Sequence, residues 1–136
     1  MTQERRTQWA AQFAVAAELC KRGYDVSFTM GNSTPVADLM LVSPILKQMF
    51  LVDVKGLYCK NVWIVKRKPI RQDLYYVLAL VPVDAAARFF LVRQQDMNAH
   101  IAEELKRLGR PDEYRVTGML FSASEKHENK WNILPQ

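Results

Sequence analysis

The triplet Asp53-Val54-Lys55 places a carboxylate and an ammonium two residues apart at the end of an apolar run. In a strand, side chains alternate between faces, so Asp53 and Lys55 point the same way, about 6 to 7 Å apart along the chain. Val52 and Val54 then face the core. A second acid, Asp38, stands fifteen residues upstream in another apolar run, 37–42. Between the runs lie Ser43 and Pro44, and a proline cannot donate to a strand ladder, so the two runs read as an antiparallel hairpin. With the reversal centred near residues 45 and 46, the numbers of facing residues add to about 91, which sets Asp38 opposite or diagonal to Asp53. Two carboxylates side by side on one sheet face repel. A hard divalent cation such as Mg²⁺, which takes oxygen ligands and keeps several waters, removes that conflict. The chemistry open to such a set is metal-assisted hydrolysis of a phosphate ester.

These residues need elements to hold them. The spacing predicts an opening helix over 4–22, with Trp9, Phe13, Ala16, Ala17 and Cys20 as its apolar stripe and Gly23 as its C-terminal stop. A strand is expected over 24–28, a turn over 31–35, and the hairpin strands over 37–42 and 49–54. A short strand over 62–65 follows, then a buried strand over 74–81, a further strand over 88–92 and a second helix over 94–108. Weak strand signals lie around 116–121, and Trp131, Ile133 and Leu134 are expected to fold back on the body. The chain is read as one domain, 1–136.

In this arrangement the run Pro35-Val36-Ala37-Asp38, followed by Asp53-Val54-Lys55, resembles the PD-(D/E)XK nuclease superfamily, which includes restriction enzymes and Holliday-junction resolvases. The upstream Ala17-Glu18-Leu19 and Lys21 to Val26 look like that superfamily's first helix entering its first strand. The proline stands three residues before Asp38 rather than beside it, and the second acid is Asp rather than Glu. The resemblance implies an α/β fold with a restriction-endonuclease-like core: a central mixed sheet of four to five strands flanked by helices, in αβββαβ order. It also implies that Asp38, Asp53 and Glu18 hold Mg²⁺ or Mn²⁺, with the Val54 carbonyl as a further ligand. Lys55 is then the residue that assists the attacking water. The expected activity is that of a metal-dependent endonuclease cutting DNA, with RNA as the lesser expectation, and a homodimer because cutting two strands calls for two sites. The alternative is a nucleic-acid-binding or interaction protein that keeps the fold without the catalysis.

The rest of the sequence supplies a surface and excludes other classes. The formal net charge is +5, and between Lys55 and Gln72 there is no acidic residue. Lys60, Lys66, Arg67, Lys68 and Arg71, with Trp63 interleaved, form the candidate nucleic-acid-binding segment, since cations there neutralise backbone phosphate. Cys20 and Cys59 lack metal-type spacing and fit reduced thiols in a cytoplasmic protein. No run approaches the roughly 20 apolar residues of a membrane span, and neither a signal peptide nor an anchor is recognisable. The scattered glycines form no P-loop or dinucleotide fingerprint. His100 and His127 read as ordinary surface residues.

Overall fold

A computed structural model describes residues 1–29, 36–111 and 113–136. The expected turn at 31–35, with Pro35, lies outside them. Helix α1 (Gln3–Lys21) starts at Thr2, whose side chain accepts from the Arg5 N–H, and ends before Gly23 at φ 92°. Strands β1 (Asp25–Phe28), β2 (Leu39–Val42) and β3 (Met49–Leu57) follow. Then come β4 (Trp63–Lys66), β5 (Leu74–Leu80), β6 (Arg88–Arg93), helix α2 (Gln94–Arg107) and β7 (Val116–Met119), with short helical turns to the C-terminus.

The architecture is mixed α/β. Five strands in the order β1-β2-β3-β5-β6 make the central sheet, antiparallel except for the parallel pair β3 and β5. The hairpin register is the expected one: Leu39 faces Val52 and Met40 faces Leu51. Strand β4 does not join this sheet; it pairs with β7 in a separate two-stranded ribbon.

Alternation along the strands divides the interior in two. One core joins α1 to one sheet face, through Ala11, Val15 and Leu19 of the helix and Leu39, Leu41, Val52 and Val54 of the hairpin. The other joins Tyr76, Leu78, Phe90 and Val92 of the opposite face to α2 and the ribbon, through Met97, Ile101, Leu105, Trp63 and Met119. The C-terminal Trp131 and Leu134 pack into the first core, as expected from their composition.

The buried stripe of α1 differs from the expected one. It runs through Thr7, Ala11, Gln12, Val15, Ala16 and Leu19, while Phe13 is exposed and so is Cys20. The cause is close packing on β3: a Cβ at Gly56 would stand 2.7 Å from the Ala11 Cβ, so only small residues fit at this crossing. With Ala11 at that contact, the face of Ala11, Val15 and Leu19 turns inward. Phe13 instead stacks on Trp9, with ring centroids 5.7 Å apart.

Candidate active site

Strand β3 runs on past the start of β2, and the site forms at this step. The last rung of the pair is the Asp38 N–H donating to the Val52 carbonyl at 3.0 Å. Beyond it, Val54 has no strand partner on that side among the described residues. Its N–H donates to Asp38 Oδ2 at 2.7 Å, and its carbonyl accepts from Gln8 Nε2 at 2.8 Å. Gln12, one turn along α1, donates to Asp38 Oδ1 at 3.4 Å. Two side chains four residues apart on a helix share a face. Gln8 and Gln12 therefore brace the open edge of β3 and the first acid together.

Asp53 is only 2% exposed. A buried carboxylate requires compensation, and two ammonium groups supply it. Lys55 Nζ lies 3.3 Å from Asp53 Oδ1, and Lys68 Nζ pairs with Asp53 Oδ2. Lys68 also donates to the Val36 carbonyl at 2.7 Å. It arrives from the connection between β4 and β5, which is tied to α2. The buried Gln94 side chain donates to the Pro69 carbonyl at 2.7 Å and the Lys68 carbonyl at 3.4 Å, and Asn98 donates to the latter at 3.3 Å.

The electrostatics record two acids in close quarters. Burial raises the Asp38 pKa above the ordinary carboxylate range; the Val54 N–H opposes this, the Asp53 charge adds to it, and Lys55 and Lys68 work against it. Tyr76, facing Asp53 in the β3–β5 register, has its hydroxyl pushed up by burial and then by the Asp53 charge.

The structure thus brings together Asp38, Asp53, Val54 and Lys55. It does not bring Glu18 to them. The Glu18 carboxylate pairs with Arg22 at 3.1 Å and with Lys21 at 3.8 Å. Glu18 stands six residues beyond Gln12, roughly 240° further round the helix, so the face that reaches the site carries glutamines. Among the described residues no three His, Cys, Asp or Glu side chains gather into a metal-binding group. The three-acid set expected from the sequence is corrected in one member: Glu18 lies apart from Asp38 and Asp53.

Trp63 also departs from expectation. It is 1% exposed, stacks on Phe121 and donates from Nε1 to Ser124 at 3.1 Å, so it belongs to the second core and offers no face to a base. Arg71 is committed to Asp73 through two hydrogen bonds of 2.9 Å. Lys60 is exposed and sits over the Phe121 ring at 5.4 Å. Lys66, Arg67, Lys68 and Arg71 line a cleft of about 370 Å³ together with Arg115, which the sequence reading did not include. Pairing in the ribbon brings Arg115 there, its carbonyl accepting from the Arg67 N–H at 2.7 Å. On the other side of the site, a cleft of about 620 Å³ is lined by Lys55, Gln8, Tyr58 and Asn61, with Glu4 at its rim.

No family model and no curated protein matches the chain. Among solved structures, the bacterial homing endonuclease I-Ssp6803I is similar over 97% of this chain and 93% of its own, with a TM-score of 0.59 at 12% identity. At that identity the likeness is one of fold, carried by the mixed five-stranded sheet and its flanking helices.

Proposed function

We propose that the chain is a metal-dependent endonuclease of the PD-(D/E)XK type that hydrolyses phosphodiester bonds in DNA. The observation that carries the reading is the meeting of Asp38 and Asp53 beside Lys55 where β3 outruns β2. Support comes from the fold, which is similar to that of a bacterial homing endonuclease, and from the basic cleft that begins at Lys68.

The residues present suit a hard cation in kind. Asp38 and Asp53 offer carboxylate oxygens and Val54 a carbonyl, all of the class Mg²⁺ and Mn²⁺ prefer. Burial is the main cause of the raised Asp38 pKa, with the Asp53 charge adding to it, and a cation bound beside the two acids would oppose both. Asp38 and Asp53 would hold the ion, with the Val54 carbonyl joining if Gln8 releases it. Bound there, a divalent ion supplies Lewis-acid stabilisation of phosphate charge and a water of lowered pKa.

The chain's own groups then divide the remaining work. Lys55, less buried than Asp53 and open to the 620 Å³ cleft, holds the attacking water and stabilises charge developing on the phosphate. The basic cleft on the Lys68 side carries the neighbouring backbone phosphates. Gln8 and Gln12 fix the geometry of the acids without taking part in proton transfer. A second copy of the chain is proposed for cutting both strands.

A cleavage assay with Mg²⁺ or Mn²⁺ on plasmid, branched DNA and RNA tests this. Wild type should nick or cut DNA, and Asp53→Ala and Lys55→Ala should each lower the rate at least about 100-fold. Variants that cut as fast as wild type would remove the site. One observation favours a second reading, in which the chain binds nucleic acid without cutting it: Asp53 is already neutralised by two lysines. Tight DNA binding with no cleavage of any substrate would select it.

A further inference from the structure

The four ionisable groups of the site are two carboxylates and two ammoniums, Asp38, Asp53, Lys55 and Lys68, so their formal charges cancel. The two lysines are not equivalent. Lys55 belongs to the same strand as Asp53 and opens on the 620 Å³ cleft. Lys68 reaches in from a separate connection, takes the other carboxylate oxygen and caps the Val36 carbonyl as well. Its backbone is clamped from behind by Gln94 and Asn98, and its outer side borders the basic cleft. A divalent cation that takes Asp53 Oδ2 must displace this ammonium, and it also brings two positive charges into a site already balanced. Close to a buried carboxylate both effects oppose binding strongly, because few waters screen them.

The geometry points to Lys68 as the site's own counter-cation. It holds Asp53 until a metal ion replaces it, then turns to the phosphate that enters from the basic cleft. Metal and phosphodiester therefore bind interdependently: the phosphate restores the charge balance the metal upsets and gives the displaced ammonium a new partner. Linkage makes the coupling mutual, so DNA raises metal affinity by the same factor by which metal raises DNA affinity. This rests on the nuclease reading, and it adds a control on when the site loads.

The test is Mn²⁺ binding to the full chain, followed by electron paramagnetic resonance, with and without a phosphorothioate duplex that resists cleavage. Wild type alone should bind Mn²⁺ weakly and gain about tenfold on addition of the duplex. Lys68→Met should bind at least about tenfold more tightly than wild type without DNA and gain less from the duplex, while Lys68→Arg, which keeps the charge, should behave as wild type. A Lys68→Met protein that binds Mn²⁺ no better than wild type overturns the inference. Should that variant fail to fold, ¹⁵N-lysine spectra of wild type decide the matter: the Lys68 Nζ signal should move on Mg²⁺ addition, and a stationary signal during Asp53-dependent binding overturns it equally. If Asp53→Asn leaves Mn²⁺ affinity unchanged, the nuclease site itself is wrong, a result distinct from the failure of Lys68 alone.

Discussion

Replacing Asp38 by asparagine separates stability from function. The substitution keeps the shape and the hydrogen bonds: an amide oxygen still accepts from the Val54 N–H, now 2.7 Å from Oδ2, and the Gln12 amide can turn to match the other end. What disappears is a partly buried charge beside a second carboxylate. Burial dominates the raised pKa of Asp38, with the Asp53 charge adding to it. A carboxyl whose pKa is raised on folding favours the folded state while protonated. That contribution is complete below the unfolded pKa, near 4, and is lost as pH rises through the higher folded value. At neutral pH the wild type therefore carries a penalty that Asp38→Asn relieves. Part of this relief is offset, because a neutral amide holds the Val54 N–H less strongly than a carboxylate does, by about 1 kcal/mol; the net gain at neutral pH is the burial penalty less that loss. For a chain of this size each 1 kcal/mol of net gain raises Tm by about 3–5 °C, so Asp38→Asn should melt above wild type at pH 7. Urea unfolding in EDTA at several pH values measures it. The stability gap should be absent near pH 3, open through the carboxylate range and level off near pH 7, while cleavage is lost. A variant less stable than wild type at neutral pH, or a gap that does not vary with pH, would refute the charge argument.

Other substitutions test other links. Glu18→Gln should leave Mn²⁺ affinity and cleavage unchanged, since its carboxylate is held by Arg22 and Lys21; a loss of metal binding would restore it to the site. Arg115→Ala should weaken DNA binding uniformly across sequences and reduce the slope of log affinity against log salt by about one, as measured by fluorescence anisotropy. Gly56→Ala should cost about 1–3 kcal/mol in denaturant unfolding, because the new Cβ meets Ala11 and the Thr7 carbonyl; an unchanged midpoint would mean that α1 yields. Trp63→Ala should cost about 3–5 kcal/mol, whereas Trp63→Phe, in folded protein, should leave DNA affinity as it is, since the ring is buried.

The hairpin was legible in advance because two apolar runs and one proline admit a single turn. Register in a half-buried sheet is fixed once the turn is placed, and Leu39 does face Val52. The orientation of α1 was not legible. Residues 10–17 are apolar almost all round the helix, so periodicity selects no face, and the choice falls to the contact between Ala11 and Gly56, forty-five positions apart. Glu18 was misplaced for that reason, although the i,i+4 pair Gln8 and Gln12 was open to inspection. Trp63 sits among lysines in the sequence. The period-two pattern of β4, with Trp63 and Val65 inward and Ile64 and Lys66 outward, was the better guide. Lys68 lies in an irregular connection, where neither period applies, and only tertiary contacts bring it to Asp53.

The ribbon of β4 and β7 also sets an order of assembly. Residues 63–66 find their partners at 116–119, late in the chain, and the stretch that carries Lys68 is fastened by side chains of α2. Closing so long a span has an entropic cost before any contact rewards it. During synthesis the acidic hairpin can form from the first sixty residues, but Lys68 is not held in place until α2 and β7 have been made. A shorter chain would thus present the two carboxylates with Lys55 but without Lys68 beside them, so the balance of charges exists only once α2 and β7 are in place.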